Sequence, residues 1–156
     1  DAYHNRGLAY RVLGQNDKAI LGYLEAIHVD SDYYEAHYNL AIAHLEQGEF
    51  SRSIYDFNQA ARIRPLAPEP YNGRGLAYYS LGDLDQAIEA FGQAILVNPN
   101  YAEAYGNRAV AYTIYGMDVE AQQDVHRAAE LGLNTDGLKQ EIERLKSAST
   151  ASKGSP

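Results

Sequence analysis

The chain has 156 residues and no cysteine, with 13 Lys+Arg against 21 Asp+Glu for a formal charge of −8. A domain of this size buries roughly two thirds of its unfolded surface, so it needs no staple, and the lack of cysteine excludes disulfides, thiolate metal sites and cysteine nucleophiles. The acidic balance repels phosphate backbones and lipid heads, which argues against nucleic acid as a partner, and no run of about 18 apolar residues suits membrane insertion.

Taken along the chain, the first twenty residues lack the basic-then-apolar layout of a signal peptide. Because Asp1 is not a Met, a removed leader stays open. The compartment is therefore unassigned, with the cytoplasm slightly favoured over a periplasmic or membrane-tethered place. Gly14 opens a series with Gly48, Gly82 and Gly116 at a constant step of 34 residues, which signals stacked repeats. Ala26, Ala60, Ala94 and Ala128 keep that step, as do the pairs Tyr3 and Tyr10, His37 and His44, Tyr71 and Tyr78, and Tyr105 and Tyr112. Within one period, Pro68 to Leu81 reads as a helix with proline in its first turn, and Gly82 ends it. Asp83 to Leu96 reads as a second helix, with Asp85 as candidate N-cap and an apolar stripe through Leu84, Ala87, Ile88, Phe91, Ala94 and Ile95. Gly7 and Gly75 inside helices imply close approach of a neighbouring helix, with Ala41 and Ala109 in the same place. Tyr23, Phe57 and Phe91 fill the space beside these small residues. At Gly116-Met117-Asp118-Val119 the acidic cap comes one residue early. After Asn134, Leu138, Ile142 and Leu145 at i, i+4 and i+7 mark an amphipathic helix from about 136 to 147. Ser147 to Pro156 has nothing to bury and reads as a disordered tail.

On these residues the chain resembles the tetratricopeptide repeat (TPR) family. Tyr71, Gly75, Tyr78, Ala87, Phe91, Ala94 and Pro99 match its pattern throughout one repeat. The second repeat has His37 and His44 for aromatics and Ser53 for Ala, which suggests looser packing; the fourth has Val125 for the aromatic and Leu133 for the Pro. The resemblance implies an all-α, right-handed superhelical solenoid of four repeats, near 1–33, 34–67, 68–101 and 102–135. The helix at 136–147 would cap it, giving a single domain over 1–147 and a tail at 148–156. The first helix has no equivalent cap, so upstream repeats, a bare edge or another subunit stand as alternatives there.

Little in the sequence points to chemistry. His37 and His44 stand two turns apart without the i, i+4 spacing or third ligand of a metal site, so they read as structural. His4, His28 and His126 read as surface or groove residues. Gly73-Arg74-Gly75 lacks both the third glycine and the preceding strand of a dinucleotide motif. No nucleophile elbow occurs, and neither catalysis nor a cofactor or metal is expected. Most of the 14 tyrosines fall on the packing series. Glu35, Glu69 and Glu103 recur at helix starts, where the helix dipole favours them.

In the family the first helix of each repeat lines the concave face. Residues there outside the packing series form the candidate peptide-binding groove: Asn5, Leu8, Arg11, Tyr38, Asn39, Ile42, Asn72, Leu76, Tyr79, Asn107 and Val110. Asn5, Asn39 and Asn107 share one repeat position, with Gly73 interrupting the row. Leu8, Ile42, Leu76 and Val110 share another. Asn amides can both donate to and accept from a guest main chain, and the apolar row would take its side chains. The expected function is that of a scaffold or adaptor binding an extended or helical segment of a protein or peptide partner. The positions matching the family's carboxylate clamp for chaperone tails carry His4, Leu8, Asn39, Glu69 and Gly73, of which only Asn39 agrees, so that ligand is rejected. The alternative is a self-assembling homo-oligomer joined through the first helix, where Ala2 and Ala9 lie beside Tyr10.

Overall fold

The 34-residue period becomes a stack of helical hairpins. The computed structural model describes residues 2–153, and among these it holds nine helices and no strand: α1 (Ala2–Val12), α2 (Asn16–Val29), α3 (Tyr34–Glu46), α4 (Phe50–Ile63), α5 (Glu69–Leu81), α6 (Leu84–Val97), α7 (Ala102–Tyr115), α8 (Asp118–Glu130) and α9 (Asp136–Lys153). From α1 to α8 each helix packs on the next. The odd helices also touch one another, α1 with α3, α3 with α5 and α5 with α7, whereas no two even helices come into comparable contact among the described residues. A stack that is tighter on one side curves toward that side, so the odd helices form the concave face.

Local chemistry sets these elements. Gly82 ends α5 in the left-handed region at φ 79°, its N–H donating to Tyr78 and Tyr79 carbonyls; a Cβ would be strained there. Within α5, a Cβ on Gly75 would stand 2.4 Å from Phe91 Cε1, so the glycine lets the ring of Phe91 bury to 1% exposure. Phe57 packs differently. Its own repeat has Ala41 where Gly7 and Gly75 stand, and its ring lies instead against Gly73, where a Cβ would be 2.3 Å from Cζ.

The second hairpin is not loose. Ser53 is fully buried and donates to the Ala41 carbonyl at 2.8 Å. His44 Nδ1 lies 2.9 Å from Asp56 Oδ2 inside the hairpin. His37 Nε2 donates to the Ser31 carbonyl at 3.0 Å. Polar residues at core positions thus keep their burial by finding partners. Burial pushes the Asp56 carboxyl above its ordinary value, and the hydrogen bond from His44 opposes that rise.

Three boundaries differ from expectation. The N-cap of α6 is Asp83, which accepts from the Gln86 N–H at 3.2 Å; the helix starts at Leu84, which leaves Asp85 in the first turn. In the fourth hairpin Met117 takes the same cap position, so α8 is in register and Asp118 is its first residue. Helix α9 continues to Lys153 rather than stopping near 147, because adding residues to a nucleated helix is cheap and the Ala and Ser that follow tolerate it. Residues 154–156 of the expected tail lie outside the described residues. Helix α9 packs on α7, burying Ile142, and Lys146 Nζ meets Asp118 of α8 at 3.1 Å.

Candidate functional site

The concave face takes its character from which side of each odd helix is left uncovered. Leu8, Ile42, Leu76 and Val110, one on each of α1, α3, α5 and α7, are each half-buried. Leu8 rests on the cluster of Ala19, Tyr23, Leu40 and Ala43. Leu76 and Tyr79 rest on Ala87, Phe91 and Ala111. Leu8 and Leu76 are thus fixed from beneath by the core and keep part of their surface toward solvent.

The asparagines are drawn into the wall itself. Asn39 Nδ2 donates to the Glu35 carbonyl at 2.8 Å and lies 2.9 Å from His4 Nε2, while its Oδ1 accepts from Arg11 at 3.3 Å. With both amide hydrogens spent, Asn39 ties α3 to α1. His4, read from the sequence as a surface or groove residue, is buried. Burial holds its imidazole below the ordinary value, and as Nε2 receives the Asn39 hydrogen, Nδ1 carries the proton and donates to the Tyr33 hydroxyl at 3.2 Å. The same step recurs farther along: Asn107 Nδ2 donates to Oδ1 of buried Asn72 at 2.9 Å. Asn107 keeps a second N–H and its Oδ1 for other partners. Asn5 is exposed on α1. Between these rungs the row is broken at Gly73, because the Phe57 ring fills the space a side chain would need.

Leu76, Tyr79, Asn107 and Val110 come together, over Phe91, around a cleft of about 150 Å³. Glu141 of α9 closes one side of it; this neighbour was not seen in the sequence, since nothing in a helical period says where the last helix will lie. Toward the other end, Tyr38 is half-buried. Its ring stacks on Tyr34 at 5.9 Å and meets Phe57 edge-on at 5.8 Å. Arg11 lies at the far end, on Asn39. Contacts among the named residues fall into two neighbourhoods, Arg11 with Asn39, and Leu76 with Tyr79, Asn107 and Val110.

Among the described residues no group of three His, Asp or Glu side chains is placed to hold a metal ion, and no helix is long and apolar enough to cross a membrane. The buried His44–Asp56 pair was missed from sequence. Its trace is an Asp inside the apolar stripe of α4, repeated as Asp124 in α8, where Arg108 bonds it through Nε at 2.7 Å and Nη2 at 2.9 Å.

Sequence profiles match the chain in three overlapping pieces: one described as tetratricopeptide repeat over 68–101 and one described as TPR repeat over 7–48 and 43–82. No curated protein matches. Solved structures are similar over most of the chain. A crystal structure of MamA is 28% identical, covers 83% of this chain and 75% of its own, and superposes with a TM-score of 0.78. A thermophilic TPR protein in Thermus thermophilus is 23% identical over 94% of this chain and 81% of its own, with a TM-score of 0.77. YrrB, described as a TPR protein with an unusual peptide-binding site, is 17% identical over 95% and 76%, with a TM-score of 0.74.

Proposed function

The chain belongs to the tetratricopeptide repeat family, whose members are protein-interaction scaffolds, and from that premise we propose that its concave face holds an extended or helical segment of a protein partner. The observation that carries this reading is the row of Leu8, Ile42, Leu76 and Val110, one half-exposed apolar side chain on each of α1, α3, α5 and α7. Regular spacing along a fixed wall suits a guest whose own side chains repeat. Tyr79 and Asn107 flank the row at the cleft, and Asn5 and the spare amide groups of Asn107 offer hydrogen bonds to a guest backbone. Asn39 and Asn72 hold the odd helices in register, Tyr38 braces the middle, and Arg11 bounds the far end.

The test replaces groove surface without touching the wall. Ile42→Glu with Val110→Glu should abolish crosslinked capture of the partner from source cells while the helical circular dichroism signal survives; undiminished capture rejects the site. A second reading, association between copies through α1, rests on Ala9, Val12 and Leu13, all exposed on that helix and its turn. Light scattering that rises with protein concentration, and ceases to with Ala9→Lys, would support it.

A further inference from the structure

On the side of the odd helices that faces the even ones, a single repeat position carries Arg6, Leu40, Arg74 and Arg108 in turn. Arg74 donates to Asn58 of α4 at 2.6 Å and to Gln93 of α6, and so bridges those two helices. Arg108 donates to both oxygens of Asp124 on α8, through Nε at 2.7 Å and Nη2 at 2.9 Å. Its Nη1 runs beside Gly92 of α6, 3.6 Å from the place of a Cβ. Each guanidinium thus closes a groove between two even helices. Leu40, buried in the core, has no such reach. Between α2 and α4 a groove of about 310 Å³ stays open, lined by Leu24, Leu40, Ser51 and Tyr55 with His44 and Asp56. Leu24 and Tyr55 are 46% and 63% exposed. Asp56 stands at the repeat position of Asp124, so the carboxylate is present where its arginine is missing. It is 5% exposed. His44 Nδ1 engages its Oδ2 at 2.9 Å, and no lysine or arginine meets it among the described residues. Arg52, at the same groove, is held instead by Glu49 at 2.8 and 3.0 Å.

We infer that the α2–α4 groove, on the convex side of the stack, receives an arginine side chain of a protein partner, which takes on Asp56 the part that Arg108 takes on Asp124. The apolar walls suit the aliphatic stem, the exposed Tyr55 ring attracts the cation, and the buried carboxylate gains charge-assisted hydrogen bonds. Leu24 stands where Gly92 does two repeats later, so the guest stem enters over Leu24 from solvent and not from the odd helix. The wider charge of −8 draws a basic segment toward the protein as well. This surface is separate from the row of Leu8, Ile42, Leu76 and Val110 and does not depend on it.

Blocked, alanine-rich peptides of about ten residues with one central arginine or one central citrulline test this by NMR titration of the isotope-labelled full chain. Citrulline keeps the shape of arginine and lacks its charge. The arginine peptide should shift the amides of Leu24 and of Ser51 to Asp56 and bind about tenfold more tightly than its twin, less so at high salt. Asp56→Asn, which can still accept from His44, should bring arginine down to the level of citrulline. Tyr55→Ala, at an exposed site outside the core, should weaken the arginine peptide several-fold and keeps the test standing if Asp56→Asn fails to fold. No shift at millimolar arginine peptide, equal binding of the two peptides, or arginine binding that neither variant weakens overturns the proposal. Ile42→Glu with Val110→Glu should leave this titration unchanged; loss of arginine binding there would move the site to the concave face and overturn the convex one. Self-association of the chain that Asp56→Asn abolishes would make the occupant a second copy and overturn the partner reading.

Discussion

The α3–α4 and α5–α6 hairpins share one backbone plan and solve their cores by different chemistry. In α5–α6 the interior is apolar, with Phe91 seated on Gly75 and Ala87 beside it. In α3–α4 the equivalent interior holds His37, His44, Ser53 and Asp56, each with a hydrogen-bonded partner. The difference teaches that a repeat fixes the distance between helices, not the chemistry that fills it. A polar residue is tolerated at a core position when the facing helix carries its complement at the right height.

The largest break in this comparison comes from the rings that both hairpins need. Phe91→Ala and Phe57→Ala should each cost about 3–5 kcal/mol in chemical denaturation. Phe57→Ala should in addition loosen Tyr38, which leans on it. A smaller effect separates the two chemistries. Asp56→Ala leaves the buried His44 nitrogen without its partner and should cost about 1–3 kcal/mol. Adding His44→Tyr gives α3–α4 the pair found at the same positions in α5–α6, Tyr78 and Ala90, and should recover much of the loss; a double-mutant cycle with a coupling of about 0.5–3 kcal/mol is the expected result, and simple additivity would mean that the pair is not a unit.

The finest distinction is in alkali. Burial, with the Glu69 carboxylate next in effect, pushes the Tyr34 hydroxyl of α3 up to about 12 from its ordinary 10.0. Between those values the folded state holds a proton that the unfolded chain has released, so stability falls as pH rises through that window. Tyr34→Phe should lose this part of the decline, read as a shallower slope of stability against pH above 10.

Most of the fold was legible because the 34-residue step repeats small and bulky residues on matching faces, and that pattern is local. That Leu8, Ile42, Leu76 and Val110 share one repeat position followed from the same periodicity, whereas their place on the inner face was what the family resemblance implied. What the sequence hid depends on distances between helices. Asn39 looked available for a guest, yet His4 and Arg11, 35 and 28 residues away, take its amide. The break at Gly73 looked like a missing asparagine, yet it is the room that the Phe57 ring requires once Ala41 closes the nearer place. The position of α9 was hidden for another reason: beyond the last repeat no period constrains it, and only its apolar stripe could be read.

The pattern of packing has a consequence for how the chain comes to be folded. Among the described residues, helices in substantial contact are no more than two places apart in chain order. Low contact order of this kind shortens the conformational search and favours fast folding. A hairpin emerging from the ribosome already has its neighbours beside it, so the array can assemble in the order of its synthesis without waiting for a distant strand or terminus.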